Sequence, residues 1–234
     1  MMKKTIFCLL LSLFSVVLFS QDTINQKDAQ GNKTGFWRKS NTSGIKVYEG
    51  HFRAGIPYGE FRYFYPDGKV KTISFISRNG HLAKTISYFQ TGKKMAVGNY
   101  LDEKKDSLWK FYSETADTVA GEEFYREGRK EGVSRTFYAG KGVSELITWK
   151  NGIQDGRWEA YYTSGKLKLQ GFFTAGQKAG PFKTFYETGG VMMSGQYSEG
   201  RQAGTWDYFD EKGRITKKES YQNGMIVKTE DFTH

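Results

Sequence analysis

Residues 149–165 read WKNGIQDGRWEAYYTSG, and the same arrangement of glycines and rings recurs along the chain. The next two copies, 24 and 48 residues further on, carry the matching residues Gly176, Gly180, Phe182, Gly200, Gly204 and Trp206. Self-similarity at a fixed period is the sequence signature of a repeat architecture, in which each unit is stabilised by stacking on its neighbours.

The first glycine of the motif sets a period of about 24 residues over residues 31–234. It stands at Gly31, Gly55, Gly80, Gly128, Gly152, Gly176, Gly200 and Gly224, and Glu103 takes its place in one unit. A second glycine follows four residues later, except in two weaker units that carry Lys84 and Ser107. Two residues on come Trp37, Phe61, Ile86, Trp109, Ser134, Trp158, Phe182 and Trp206. The pattern predicts eight units and a partial ninth, after a polar lead-in over residues 21–30.

Each unit has the character of a β-hairpin. Residues 158–162 are rich in aromatic residues, Gly165 closes a turn signal, and residues 166–173 form a second strand-like segment. We interpret the Gly-x-x-x-Gly pair as the turn between units. Helical periodicity is not sustained over ten residues anywhere in the repeats. The predicted fold class is all-β, an elongated antiparallel meander of stacked hairpins with about sixteen strands.

Side-chain alternation predicts where the rings lie. Period two places Trp158 and Tyr162 on one face of the sheet. A further glycine recurs two residues before an aromatic residue in the returning strand, at Gly50, Gly98, Gly171 and Gly195. We expect a neighbouring ring to lie flat on this bare backbone and most of the rings to be structural.

The repeat resembles a known family. Residues 171–189 read GFFTAGQKAGPFKTFYETG and residues 195–213 read GQYSEGRQAGTWDYFDEKG. This motif resembles the MORN repeat, in the bacterial variant of the YwqK family of antitoxins, and the likeness extends from Gly31 to the C-terminus. The resemblance implies a stack of hairpins used for protein contact, scaffolding or membrane-lipid contact. The antitoxin label implies a protein that neutralises a toxin by binding it.

The first twenty residues have the pattern of a secretory signal peptide. Lys3 and Lys4 precede the apolar run of residues 5–19, and Ser20 is a small residue suited to cleavage. The run is shorter than the roughly 20 residues of a membrane-spanning helix. We therefore expect residues 1–20 to be removed and the chain to be exported, either periplasmic or secreted, without a later transmembrane segment.

Composition argues against several classes of protein. One Cys and three His in 234 residues exclude a disulfide framework and a Cys/His-rich zinc site, so we predict neither metal nor cofactor. The formal charge is +10. Its lysines and arginines are spread in pairs such as Lys104-Lys105 and Lys217-Lys218 rather than in one stripe, and nucleic acid is not an expected partner.

Catalytic constellations are equally hard to find. His51, His81 and His234 are far apart in sequence, and no nucleophile-elbow or phosphate-loop motif is present. Glu122 and Glu123 are neighbours on one strand, so their carboxylates should point to opposite faces. We expect no enzyme activity.

The expected function is binding, most of all of another protein. The predicted binding face comprises Trp158, Tyr162, Phe182, Tyr186, Trp206 and Tyr208, where the repeats are most regular. Two alternatives stay open. The regular units could be scaffold, with specificity in irregular loops such as Ser113–Val119, or the ligand could be an envelope polysaccharide or an anionic lipid that meets exposed rings and lysines.

Overall fold

A computed structural model describes residues 23–233, which form a single antiparallel sheet of 20 strands. The strands are β1 Gln26–Lys27, β2 Lys33–Ser40, β3 Lys46–Arg53, β4 Ile56–Phe64, β5 Val70–Ile76, β6 Leu82–Tyr88, β7 Lys94–Leu101, β8 Lys104–Tyr112, β9 Val119–Arg126, β10 Arg129–Lys130, β11 Gly132–Phe137, β12 Val143–Lys150, β13 Ile153–Tyr161, β14 Leu167–Thr174, β15 Gln177–Lys178, β16 Gly180–Phe185, β17 Val191–Ser198, β18 Arg201–Phe209, β19 Ile215–Gln222 and β20 Met225–Asp231. The predicted signal peptide lies outside the described residues.

Each strand pairs with its neighbour in the chain, which confirms the predicted all-β meander. The strand β9 pairs with both β10 and β11, and β14 pairs with both β15 and β16. β10 and β15 are therefore short leading pieces of the strands that follow them. Together with β1, which pairs with β2, they account for most of the excess over the predicted number of strands.

The first glycine of most motifs lies in a two-residue turn. Asn151 and Gly152 have φ values of 51° and 83°, and Ala54-Gly55 and Ala175-Gly176 repeat this pair of left-handed residues. Two consecutive residues with positive φ define the type I′ hairpin turn, whose twist matches that of the flanking strands. Glycine is suited to the second position because it has no Cβ to clash in the left-handed region.

The second glycine does not lie in the turn, and the prediction that both glycines form it was wrong. Gly156 lies inside β13 with φ 114°, and the pairing of β13 with β12 shifts register between Ile147 and Trp149. Gly59 has φ 72° inside β4, with the matching shift opposite it in β3. Each such glycine makes a bulge that strengthens the local twist.

One line of cross-strand neighbours runs across almost the whole sheet, and we call it the ring row. It consists of Trp37, Gly50, Phe61, Ser74, Thr85, Gly98, Trp109, Glu123, Ser134, Ile147, Trp158, Gly171, Phe182, Gly195, Trp206 and Glu219. The face that carries these side chains is the ring face, and the other is the reverse face. The Phe182 ring lies 5.9 Å from Trp158 and 5.6 Å from Trp206, so the rings of successive units touch.

Glycines in the row make room for these rings, as predicted. A Cβ placed on Gly50 would lie 2.5 Å from Cγ of Phe61, and one on Gly98 or Gly195 would overlap the indole of Trp109 or Trp206. The rings are buried in consequence, with Trp206 fully enclosed. A single-layered sheet has no second layer to pack against, so this row forms its core.

The last described member of the row, Glu219, is held by three donors. Its carboxylate accepts hydrogen bonds from Nζ of Lys217 at 2.8 Å and from the hydroxyls of Tyr208 at 2.6 Å and Tyr221 at 2.8 Å. These donors, the lysine first, lower the pKa of Glu219 to about 2. Burial of the phenol, followed by its bond to Glu219, raises the pKa of Tyr208.

Gly195→Ala is expected to lower the free energy of unfolding by about 1–3 kcal/mol, because the added methyl would overlap the buried indole of Trp206. Gly142→Ala is the matched control, since a Cβ there meets open space and φ is not positive. Urea unfolding followed by tryptophan fluorescence measures both. Equal stability of the two variants would show that the glycine–ring contact does not limit packing.

Glu219→Gln is expected to lower the free energy of unfolding at pH 7 by about 1–3 kcal/mol, because the charged acceptor of three hydrogen bonds is lost. The pKa of Glu219 is lower in the folded chain, so its contribution is complete above the unfolded value near 4.5 and is lost as pH falls towards 2. The difference between wild type and Glu219→Gln should therefore shrink between pH 5 and pH 2.

Urea unfolding at a series of pH values measures this difference, with Glu187→Gln, an exposed turn residue, as the control. A difference that stays constant with pH would contradict the ionic role of Glu219.

Candidate functional site

The six predicted binding residues all lie in the regular units, and none is freely exposed. Phe182 and Trp206 are buried in the ring row, while Trp158 and the three tyrosines are half-buried. Their role in binding stays a prediction, and the contacts give each of them a part in packing.

The tyrosines tie each unit to the next. The hydroxyl of Tyr162 donates to the carbonyl of Phe185, and that of Tyr186 to the carbonyl of Phe209, both at 2.7 Å. Tyr65 and Tyr138 make the same bond to the carbonyl 23 residues later. A tyrosine recurring at the repeat period could have indicated this structural role from sequence alone.

Lysines cover the row from the solvent. The ammonium group of Lys105 lies 4.6 Å from the ring centre of Trp109, and that of Lys178 lies 5.2 Å from Trp158. Lys33 and Lys130 lie over Trp37 and Trp149 in the same way. Burial lowers the pKa of Lys105. Together these cation–π contacts help to cover the rings of the ring face.

The ring row is interrupted at two places where a unit lacks its ring. In the fifth unit Ser134 occupies the ring position, but the indole of Trp149 covers it and donates from Nε1 to the hydroxyl of Ser134 at 2.8 Å. In the third unit the position falls on Thr85, the neighbour of Ile86, and Thr85 is buried although it carries no ring. The third unit is therefore the interruption that borders a cleft.

Local sequence explains the change at the third unit. The turn from β5 to β6 spans residues 77–81, longer than the two-residue turns such as Ala54-Gly55 and Asn151-Gly152 that join most other units, and it shifts the following strand by one residue. Lys84 stands where other units carry the bulge glycine, and β5 pairs with β6 without a register shift. The motif spacing aligns Ile86 with the rings of the other units, but after this longer turn Thr85 lies in the row instead.

The interruption leaves a cleft of about 470 Å³ on the ring face. Its floor consists of three cross-strand pairs from β5 and β6, namely Thr72–Ser87, Ser74–Thr85 and Ile76–Ala83. Hydroxyl groups form the first two pairs, at 3.3 Å and 3.0 Å. The side chains of Tyr63 on β4 and Tyr100 on β7 bound the cleft on its two sides.

Polar groups lie at the ends and walls of this cleft. Lys71 lines it, as do His81 and Glu103, and Nδ1 of His81 lies 2.5 Å from Oδ1 of Asp102. Burial, and to a smaller extent Tyr48 and Glu103, raise the pKa of Tyr63, and burial raises that of Tyr100. Both phenols thus stay neutral near pH 7 and can donate as well as accept hydrogen bonds.

The reverse face of the same strands carries a second, apolar groove of about 360 Å³. Phe75 and Leu108 border it with exposed fractions of 49% and 41%, and Ile86 and Val97 lie between them. Lys84 and Lys110 stand at its rim. Among the described residues Lys84 forms no ion pair, whereas Lys110 faces Glu122 at 3.4 Å.

Other features of the described chain give less support for a functional site than the cleft and the groove do. Residues 23–233 contain no group of three or more His, Cys, Asp and Glu side chains that could hold a metal ion. The same residues include no helix long and apolar enough to cross a membrane. The loop proposed as an irregular binding element, Ser113–Val119, is closed by a bond between the amide of Ser113 and the carbonyl of Thr118.

One of the solved structures that match the chain is only weakly similar to it. A mutant of S. aureus TarM in complex with fondaparinux, alpha-GlcNAc-glycerol and UDP is 19% identical, with a TM-score of 0.31. The match covers 42% of this chain and 19% of the TarM chain. A likeness of this size has no bearing on function. None of the curated protein sequences matches the chain.

Comparison with family models identifies the repeat. Residues 57–77 and 154–175 match the model described as MORN repeat variant. The first match covers β4 and β5, next to the interrupted unit, and the second covers most of β13 and β14 in the regular part. The assignment to the YwqK antitoxins stays a prediction, while these two segments are MORN-type repeats.

Proposed function

We propose that the chain is an exported, non-catalytic module that binds another protein through the apolar groove of the reverse face. The observation that supports this most directly is the exposure of Phe75 and Leu108 on either side of one groove. Contact between apolar surface and water is unfavourable in free energy, and a bound partner would bury that surface. Contiguous exposed apolar patches mark interaction sites.

The groove also suggests the chemistry of the partner segment. Its apolar lining suits an aliphatic or aromatic side chain, and the unpaired ammonium group of Lys84 at the rim suits a carboxylate beside it. A protein with an apolar residue next to an acidic one would meet both features.

Two further parts of the proposal rest on the sequence. Export is supported by the signal-like pattern of residues 1–20, and a protein-binding role agrees with the matched MORN repeats, which serve commonly as protein or lipid binding modules. Neutralising a toxin would be one form of such binding, in line with the resemblance to antitoxins. A scaffold that holds a partner in the periplasm or at the cell surface would be another.

Phe75→Ser and Leu108→Ser are expected to weaken partner binding at least tenfold, because each removes about 1.5–3 kcal/mol of apolar contact. Phe172→Ser is the matched control, since Phe172 lies on the reverse face of β14 with 38% exposure. The tagged full chain is expressed in its own host, and cross-linked proteins are compared quantitatively by mass spectrometry.

A protein retained by wild type and by Phe172→Ser but lost from both groove variants would support the proposal. If the same proteins are retained by all three variants, or lost from all three, the groove is not the binding site. Circular dichroism of the purified variants separates loss of binding from loss of folding.

A further inference from the structure

The ring-face cleft differs from the rest of that face in its lining. Elsewhere the ring position of a unit is filled by a ring, or is covered by Trp149 at Ser134, and lysines lie over the rings. At the third unit Thr85 takes this position, and the bare backbone of Gly98 beside it accommodates the indole of Trp109 from the following strand. Hydroxyl groups and two tyrosine side chains therefore line the surface where the third unit lacks a ring of its own.

The lining of the cleft combines flat apolar surface with neutral hydroxyl groups. Tyr63 is 37% exposed, and among the described residues neither its hydroxyl nor that of Tyr100 has a hydrogen-bond partner. Most other tyrosines on this face do bond, as Tyr162 does. The Thr72–Ser87 pair at the floor is half-buried and long at 3.3 Å, so both hydroxyls keep capacity for a further partner.

We propose that this cleft binds a neutral pyranose residue of a glycan chain, with Tyr63 and Tyr100 at its sides and the hydroxyls of Thr72 and Ser87 beneath it. A pyranose has apolar C–H faces that pack on aromatic rings and hydroxyls around its edge that exchange hydrogen bonds with phenols and alcohols. This site is independent of the protein-binding groove, which lies on the reverse face.

Charge argues for a neutral sugar over a phosphate. Among residues 23–233, Lys71 is the one lysine that lines the cleft, and Glu103 lines it as well. His81 is already paired with Asp102. Phosphate and phospholipid head groups are held by clustered cationic donors, and this lining offers no such cluster.

The dimensions agree with a chain rather than a single small molecule. β4 and β7 bound the floor at a backbone separation of about 14 Å, three strand spacings apart. The floor strand β5 has seven residues, a length of about 23 Å. A glycan lying along β5 and β6 would pass from Lys71 towards His81, with one residue between the tyrosines.

The test uses the full chain and 1,4-linked tetramers of glucose, N-acetylglucosamine and mannose as probes, with titration calorimetry as the measurement. Thr72→Val removes one floor hydroxyl and is expected to weaken tetramer binding by about tenfold. Thr184→Val is the matched control and should bind as wild type does, because Thr184 is half-buried on the same face but lies in a regular unit.

Thr85→Trp provides the second test, since it places an indole where the row lacks a ring and should abolish tetramer binding. The proposal is supported if one tetramer binds wild type and Thr184→Val equally, binds Thr72→Val about tenfold more weakly and does not bind Thr85→Trp. It is overturned if no tetramer binds wild type, if Thr85→Trp binds as well as wild type, or if only inorganic phosphate or phosphatidylglycerol vesicles bind.

The two proposals fail separately. Thr72→Val should still retain the protein partner, because Thr72 lines the cleft and not the groove. Phe75→Ser should still bind the tetramer, because Phe75 lines the groove and not the cleft.

Discussion

The whole structure depends on one contact, an aromatic ring lying flat on a glycine of the next strand. A single-layered sheet has water on both faces and cannot bury side chains between layers. Trp109 and Trp206 reach almost complete burial because the bare backbone of Gly98 and Gly195 lets each ring approach as closely as a second layer would. The period of about 24 residues follows from this contact, since every hairpin must supply one ring and accept another.

Much of the fold could be predicted from this regularity. The strands, the type of meander and the pairing of rings with glycines all follow from the spacing of Gly50, Gly98, Gly171 and Gly195 in the sequence. The role of the second motif glycine could not be predicted in the same way, because a positive φ suits a turn and a bulge equally well. Only the pairing of β12 with β13 shows that Gly156 bends a strand.

The candidate sites were harder to predict, because they arise where the repeat departs from its pattern. Phe182 and Trp206 are easily recognised in the sequence because they recur at the repeat period, and the structure buries both in the ring row. The absence of a ring at Thr85 is visible only after the longer turn at residues 77–81 has been taken into account. Whether such a gap is filled depends on a residue in another strand, as Trp149 fills the gap at Ser134.

The two candidate sites share β5 to β7, and the thinness of the sheet explains why they occur together. The third unit lacks its ring and its bulge, so β5 pairs with β6 without a register shift and small hydroxyl side chains take the place of a ring. Ser74 and Thr85 then form the floor of one cleft, while their chain neighbours Phe75 and Ile86 border the other. Strand alternation keeps the two surfaces chemically distinct, one rich in hydroxyls and one apolar. A departure from the repeat in one hairpin is therefore enough to give a scaffold of uniform units two different surfaces for recognition.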